Sequence, residues 1–175
     1  MVLPMINASR LSILLVVALF SAASSAFAGT ATATMTNTAT VTGGCTISTT
    51  GFTASYDPVS ANASLPLSST INVSTTCTAG LPATVTLGQG ANPAGGSTDT
   101  VPLRRLSNGA TTYLNYTLST NVTHTTAWGN TAGTGQTVTG LGTAVPLTGY
   151  AQIPGGQTGA SVGTYTDTVV ATVTF

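Results

Sequence analysis

Ser161 lies in Gly159-Ala160-Ser161-Val162-Gly163, the G-x-S-x-G spacing that in hydrolases lifts a nucleophile onto a strand-to-helix elbow. Such a serine needs a helix after it and a histidine later in the chain. Here the following residues alternate like a strand, and the single histidine, His124, comes earlier. The motif therefore reads as a Gly-rich turn, and no catalytic residue is expected. His124 sits in Thr123-His124-Thr125-Thr126 with no acid beside it, the setting of a solvated loop residue rather than a base or ligand. One histidine, two cysteines and no glutamate supply too few ligands for a metal, and nothing implies a cofactor. Trp128 has two readings, a sugar-stacking platform or a cover for the end of a core, and both stay open. Arg104-Arg105 is read as a solubilising loop pair in preference to a partner contact.

The chemistry that does follow from residue type is oxidative. Arg10 precedes the apolar run Leu11 to Phe20, and the small residues after it end in Ala26-Phe27-Ala28, an A-x-A cleavage pattern. Residues 1–28 are thus expected to be a signal peptide, with the mature chain beginning at Gly29. The apolar run is half the length of a spanning helix, so no stable membrane insertion is expected once the signal is removed. Cys45 and Cys77, exported to an oxidising compartment, are expected to form a disulfide.

The mature segment has the size of one ordinary domain. It carries Arg104 and Arg105 against Asp57, Asp99 and Asp167, with no Lys or Glu. Two arginines cannot displace the counterions of a phosphate backbone, which excludes nucleic acid as a partner. So few charges also leave little electrostatic repulsion between copies of the chain.

The elements that must position these residues are strands. Beyond the signal segment no run shows helical spacing, whereas Thr, Val, Ala and Tyr alternate between clusters of Gly, Pro and Asn. Strands are expected over Ile71 to Cys77, Ala83 to Leu87 and Tyr113 to Leu118, with another beginning at Val145 and Leu147. Residues 91–98 and 128–142 are expected as loops. The clearest strand is Tyr165 to Phe175, with Tyr165, Val169, Ala171, Val173 and Phe175 on one face and threonines filling most of the other. Asp167 interrupts the apolar face, and its parity implies a hydrogen bond to turn backbone. About six strands at this spacing indicate an immunoglobulin-like sandwich, all-β.

From Thr30 to Thr42 every even position is Thr, and the segment ends at Gly43-Gly44 just before Cys45. As a strand it would span roughly 43 Å, enough to traverse a sandwich. It is either an ordinary first strand of its own domain or one that leaves it. The Gly-Gly hinge favours departure and pairing with another molecule, a β-augmentation.

The chain resembles the spore coat protein U domain proteins, which include the pilins of archaic chaperone/usher fimbriae. The resemblance spans the mature chain. It is carried by Thr42-Gly43-Gly44-Cys45, by Ile71-Asn72-Val73-Ser74-Thr75-Thr76-Cys77, by Leu114-Asn115-Tyr116-Thr117-Leu118, and most specifically by Gly163-Thr164-Tyr165-Thr166-Asp167-Thr168 and the alternating run to Phe175.

The resemblance implies an incomplete immunoglobulin-like sandwich, lacking its last strand and completed by donor-strand exchange. Residues 29–44 would be donor strand and hinge, and residues 45–175 the pilin domain. Ala33, Met35, Asn37, Ala39 and Val41 would be the donor plugs. Tyr165, Val169, Ala171, Val173 and Phe175 would form the acceptor strand, filled first by a periplasmic chaperone and then, at an outer-membrane usher, by another copy or a related pilin. Asn37 departs from an apolar plug pattern, so the groove is expected to be shallow or locally polar. The expected function is a structural fimbrial subunit, periplasmic in transit and then at the cell surface, serving adhesion or biofilm formation. The rival reading is a self-contained secreted β-sandwich acting as a coat or carbohydrate-binding protein. Thr-x-Thr runs also suggest an ice-matching ladder, but no repeat of fixed period recurs to build one.

Overall fold

The computed structural model describes residues 28–109 and 111–175. The expected signal peptide lies outside the described residues except for Ala28. Among the described residues, no helix is long and apolar enough to cross a membrane.

Among the described residues eight strands follow one another: β1 Cys45–Thr50, β2 Leu67–Cys77, β3 Pro82–Leu87, β4 Arg104–Ser107, β5 Tyr113–Ser119, β6 Gln136–Thr139, β7 Ala144–Ile153 and β8 Ala171–Thr174. A single 3₁₀ turn, Ala132–Thr134, precedes β6. They form two antiparallel sheets, a five-stranded one in the order β1-β2-β7-β5-β4 and a three-stranded one in the order β6-β3-β8. The chain is all-β, as its alternation requires.

The period-two pattern works because one side of each strand is buried. In β2, Ile71, Val73, Thr75 and Cys77 are buried, and in register across β7 the first three face Gly149, Leu147 and Val145. Val85 and Leu87 of β3, Tyr116 and Leu118 of β5, and Ala151 and Ile153 of β7 complete a core with Trp128 at its centre. Gly149 has to be glycine: a Cβ there would come within 2.6 Å of Ile71 Cγ1 and 2.9 Å of the Trp128 ring. Trp128 bonds both layers, its backbone N–H donating to Leu118 O at 2.9 Å and its indole N–H to Val85 O at 2.9 Å.

Cys45 and Cys77 are directly opposite in the β1–β2 ladder and are joined by a disulfide. In the chain-entropy model such a loop closure stabilises the fold by about 3–4 kcal/mol. The pairing continues one residue further, since Thr78 N–H donates to Gly44 O at 3.0 Å and Gly44 N–H to Thr78 Oγ1 at 3.1 Å. The backbone pairing of the body thus reaches back to Gly44. Residues 28–44 form no strand or helix, and every one is exposed, Met35 and Val41 at 82% each.

Four expectations need correction. The 128–142 stretch is not all loop, because Thr137 and Val138 alternate just enough for β6 to pair with β3. The strand expected over residues 165–175 has ladder pairing only at Ala171–Thr174; upstream of it Thr166 makes a bridge to Ser107. Phe175 is exposed at 58%, since the ladder ends before it. Arg104 is not a loop solubiliser: it is 1% exposed, inside β4.

Candidate functional site

Residues 165–174 form the wall of the site. Their burial alternates, with Tyr165, Asp167, Val169, Ala171 and Val173 half-buried and the threonines between them exposed. Their hydrogen bonds alternate too. Thr166 exchanges both backbone bonds with Ser107 at 2.8 Å, and Val170 O accepts from Gly88 N–H at 2.8 Å. Successive residues of a strand point their N–H and C=O to opposite sides. Thr166 and Val170 thus spend backbone groups on β4 and on the turn after β3, Thr168 gives its N–H to Asp167 Oδ1, and the odd residues turn theirs outward. Because β8 is the last strand of its sheet, the backbone of Val169, Ala171 and Val173 faces an open edge.

Along that edge runs a groove of about 1060 Å³. One side is formed by the end of β1 and the loop after it, with Phe52 and Tyr56; the other is formed by residues 158–171. Its floor is the core itself, since Ile71, Val73, Leu87, Tyr116, Leu118 and Ile153 all line it. β1 is likewise the outermost strand of the five-stranded sheet. Two sheet edges thus flank one cleft that opens on the hydrophobic interior. The loop on the β1 side is held by Tyr56, whose hydroxyl donates to Pro154 O at 2.8 Å and accepts from Gln157 N–H at 3.0 Å. Phe52 meets the Tyr116 ring edge-on at 5.8 Å between centroids.

The polar part of the groove is Asp167, the residue whose parity demanded a turn partner. Its Oδ1 accepts from Ala91 N–H at 2.8 Å and from Thr168 N–H at 2.9 Å, and its Oδ2 from the Tyr116 hydroxyl at 2.7 Å. Gly90, at φ 86°, leaves the space the carboxylate occupies, because a Cβ there would collide with it. Burial, and then the bond to Asp167, raise the Tyr116 phenol far above its ordinary value. Arg104 lies beneath, donating from Nε to Gly88 O and from Nη2 to Leu87 O and Trp128 O, each at 2.8 Å. Burial pushes its guanidinium down to about 10, against the opposing pull of Tyr116 and Asp167. These side chains fix the far end of β3 and the turn after it, the surface on which Val170 and Ala171 pair.

The residues singled out for catalysis come to nothing chemical. Ser161 Oγ is within reach of Asn108 Nδ2 at 3.2 Å, Thr112 Oγ1 at 3.0 Å and Tyr165 Oη at 3.3 Å, a hydroxyl cluster with neither base nor acid. Tyr165 also donates to Ser161 O at 2.9 Å; the Ser161 and Thr112 side chains hold its phenol below the usual value. His124 instead meets Ser68 Oγ at 3.5 Å and the edge of Tyr150. Trp128 is fully buried, so it covers the core and cannot stack a sugar. Asp57 caps its own turn, accepting from Val59 and Ser60 N–H at 3.0 Å each, and Asp99 accepts from Gln89 Nε2 at 2.9 Å. Arg105 donates to the Asn92 and Pro93 carbonyls and lies 4.0 Å from the Tyr113 ring centre.

What residue patterns did not reveal is Arg104 and the β1-side loop. The signal for Arg104 was available only as parity: in Arg104-Arg105-Leu106-Ser107 it shares the face of Leu106, two residues on. In the β1-side loop Phe52, Ala54, Tyr56 and Pro58 do alternate with Thr53, Ser55 and Asp57, a period-two signal that the expected strands passed over.

Residues 31–172 match the spore coat protein U domain. Protein U of Myxococcus xanthus is 50% identical over 161 residues, covering 87% of this chain and 89% of its own length. Among solved structures, the CsuC–CsuE chaperone–tip adhesion subunit pre-assembly complex, from the archaic chaperone-usher Csu pili of Acinetobacter baumannii, aligns at a TM-score of 0.49 with 21% identity, over 78% of this chain. This chain spans 40% of the length of that one.

Proposed function

The chain belongs to the spore coat protein U domain family, and on that premise we propose that it is a structural subunit of a surface fibre, assembled by lending residues 30–42 of one copy to the groove of another. The observation that carries the reading is the open edge of the C-terminal segment, where Val169 and Ala171 line the groove with outward backbone and half-buried side chains, and Val173, outside the groove's lining, continues the edge while packing against the core. An unpaired edge over a core seam is an aggregation hazard unless another strand covers it.

Residues 30–42 have the form that edge lacks. Ala33, Met35, Asn37, Ala39 and Val41 would point inward as plugs, and the threonines would stay in water. Met35 and Val41 would each contribute about 1.5–3 kcal/mol on full burial. Many backbone bonds broken together make escape slow, so the fibre would be kinetically stable. In this reading residues 1–28 direct export, a periplasmic chaperone occupies the groove first, an outer-membrane usher exchanges it for another subunit, and the finished fibre serves adhesion or biofilm formation. The family resemblance suggests that route, and the groove offers a physical reason for it.

Amide hydrogen exchange tests the proposal. In an isolated copy the Ala171 and Val173 amides are expected to exchange as open-edge groups, and in the fibre to slow by about a thousandfold or more as they gain partners. A stable monomer in which residues 30–42 protect these amides within the same molecule would sink it. Val173→Asp, which would place an unpaired charge on the edge strand where Val173 packs against the core, is expected to reduce chaperone capture sharply; undiminished capture removes Val173 from the edge that a partner strand covers.

A further inference from the structure

Two polar residues stand in otherwise apolar rows. Among the inward positions 33, 35, 37, 39 and 41 the polar one is Asn37. Among the half-buried positions of residues 165–173 the charged one is Asp167, which lines the groove. Asp167 accepts two bonds at Oδ1 and one, from Tyr116, at Oδ2. A carboxylate has about four acceptor positions, so Oδ2 keeps one, and an asparagine amide brings two N–H donors.

Register is the problem that this pair solves. A one-residue slip would turn every plug out into water, and the pleat rejects it. A two-residue slip keeps all plugs inward, and the pleat cannot reject it. Shape gives little help either, because Ala31, Ala33 and Ala39 are nearly interchangeable in a groove. A slipped strand would set Asn37 against Tyr165 or Val169 and bury an amide without a partner, a cost a single hydrogen bond avoids.

We propose that Asn37 of an incoming copy donates to Asp167 of the receiving copy and so fixes the register of strand insertion; this rests on the fibre reading above. With antiparallel pairing, Met35 then lies opposite Val169, Ala33 opposite Ala171, and the small Ala39 opposite the large Tyr165. On the outer face Thr36 lies opposite Thr168. Thr168 shares the parity of Thr166 and Val170, whose backbones bond away from the open edge, and its own N–H is held by Asp167 Oδ1, so this is a non-hydrogen-bonded pair, the kind with the closer side chains.

Thiol pairing on that outer face reads the register without touching the core. Full-length mature chains carrying Thr168→Cys are assembled with chains carrying Thr34→Cys, Thr36→Cys or Thr38→Cys in a glutathione buffer. The Thr36→Cys mixture is expected to give about tenfold more disulfide-linked dimer than either neighbour, the scale of one hydrogen bond to a charged group. In an Asn37→Leu background the three yields are expected to converge. A larger yield at Thr34→Cys or Thr38→Cys overturns the pairing, and a preference for Thr36→Cys that survives Asn37→Leu undiminished overturns the role of Asn37. Absence of linkage at all three positions strikes at strand donation itself, a failure distinct from either.

Discussion

Residues 30–42 and residues 165–174 share a period-two pattern of threonine and apolar side chains, yet one forms no strand and the other is built into the sandwich. The C-terminal segment is tied at Thr166 to Ser107, at Asp167 to Ala91 and Tyr116, at Val170 to Gly88, and through β8 to β3. The N-terminal segment starts where such ties stop, beyond Gly44 and the disulfide. Alternation therefore dictates which side chains share a face. The sheet that a segment joins depends on polar anchors at particular residues, and those decide whether a strand belongs to its own body or is available to another.

The sharpest way to break this comparison is to delete residues 30–42. Self-assembly is expected to be lost altogether, while chaperone capture and the melting temperature of the body stay as they were. Sedimentation and thermal unfolding measure the two. A body that loses several degrees would show that the segment was part of its own fold, and lost chaperone capture would contradict the division of labour between the two ends.

The next largest effect is expected at Arg104→Met, on the opposite side of the comparison. It leaves the carbonyls of Leu87, Gly88 and Trp128 without their donor. Unfolding in urea is expected to show a loss of about 3 kcal/mol, in the range seen when buried polar networks lose a member. A loss under about 0.5 kcal/mol, the scale of an ordinary surface substitution, would mean that the arginine is dispensable to the wall on which β8 pairs.

The same contrast explains what could be read from the residues. Core strands β2, β3, β5 and β7 were legible because Ile71, Val73, Val85, Leu87, Leu114, Tyr116 and Leu118 repeat at period two, and half-buried strands leave no other solution. Asp167 was legible as an exception within that period, and the disulfide as a pair of cysteines behind an expected export signal. β1 and β4 were not, because Thr46, Ser48, Thr49 and Thr50 are exposed and Arg104 is a cation where the pattern wants a hydrocarbon. Burial of Arg104 is set by carbonyls at the ends of β3 and beside Trp128, residues far away in sequence. The β1-side loop of the groove is shaped by Tyr56 reaching Pro154 and Gln157, contacts that no local pattern encodes.

Met35→Ala sharpens the comparison from the side of the free segment. Exposed in the isolated chain, Met35 contributes nothing to the body, so unfolding is expected to be unchanged. Capture by a receiving copy is expected to weaken by about 1.5–2 kcal/mol, roughly ten- to thirtyfold in affinity, through lost apolar burial. Equal affinity would place Met35 outside the groove.

The smallest effect expected is at Tyr116→Phe, and its pH dependence separates it from a packing change. The variant keeps the ring and its contact with Phe52 but removes one of the three donors to Asp167, so the C-terminal segment is held less firmly. At neutral pH the loss is expected to be about 1–2 kcal/mol, the scale of a bond to a charged group. Tyr116 has a raised phenol in the folded state, so its contribution is complete below the ordinary tyrosine value of 10.0 and declines as pH rises beyond it. There the unfolded wild type alone gains by ionising this residue, and the gap between wild type and variant should narrow. A gap that stays constant across that range would show that the hydroxyl is not held in its protonated form, and that Asp167 anchors the strand through the backbone amides alone.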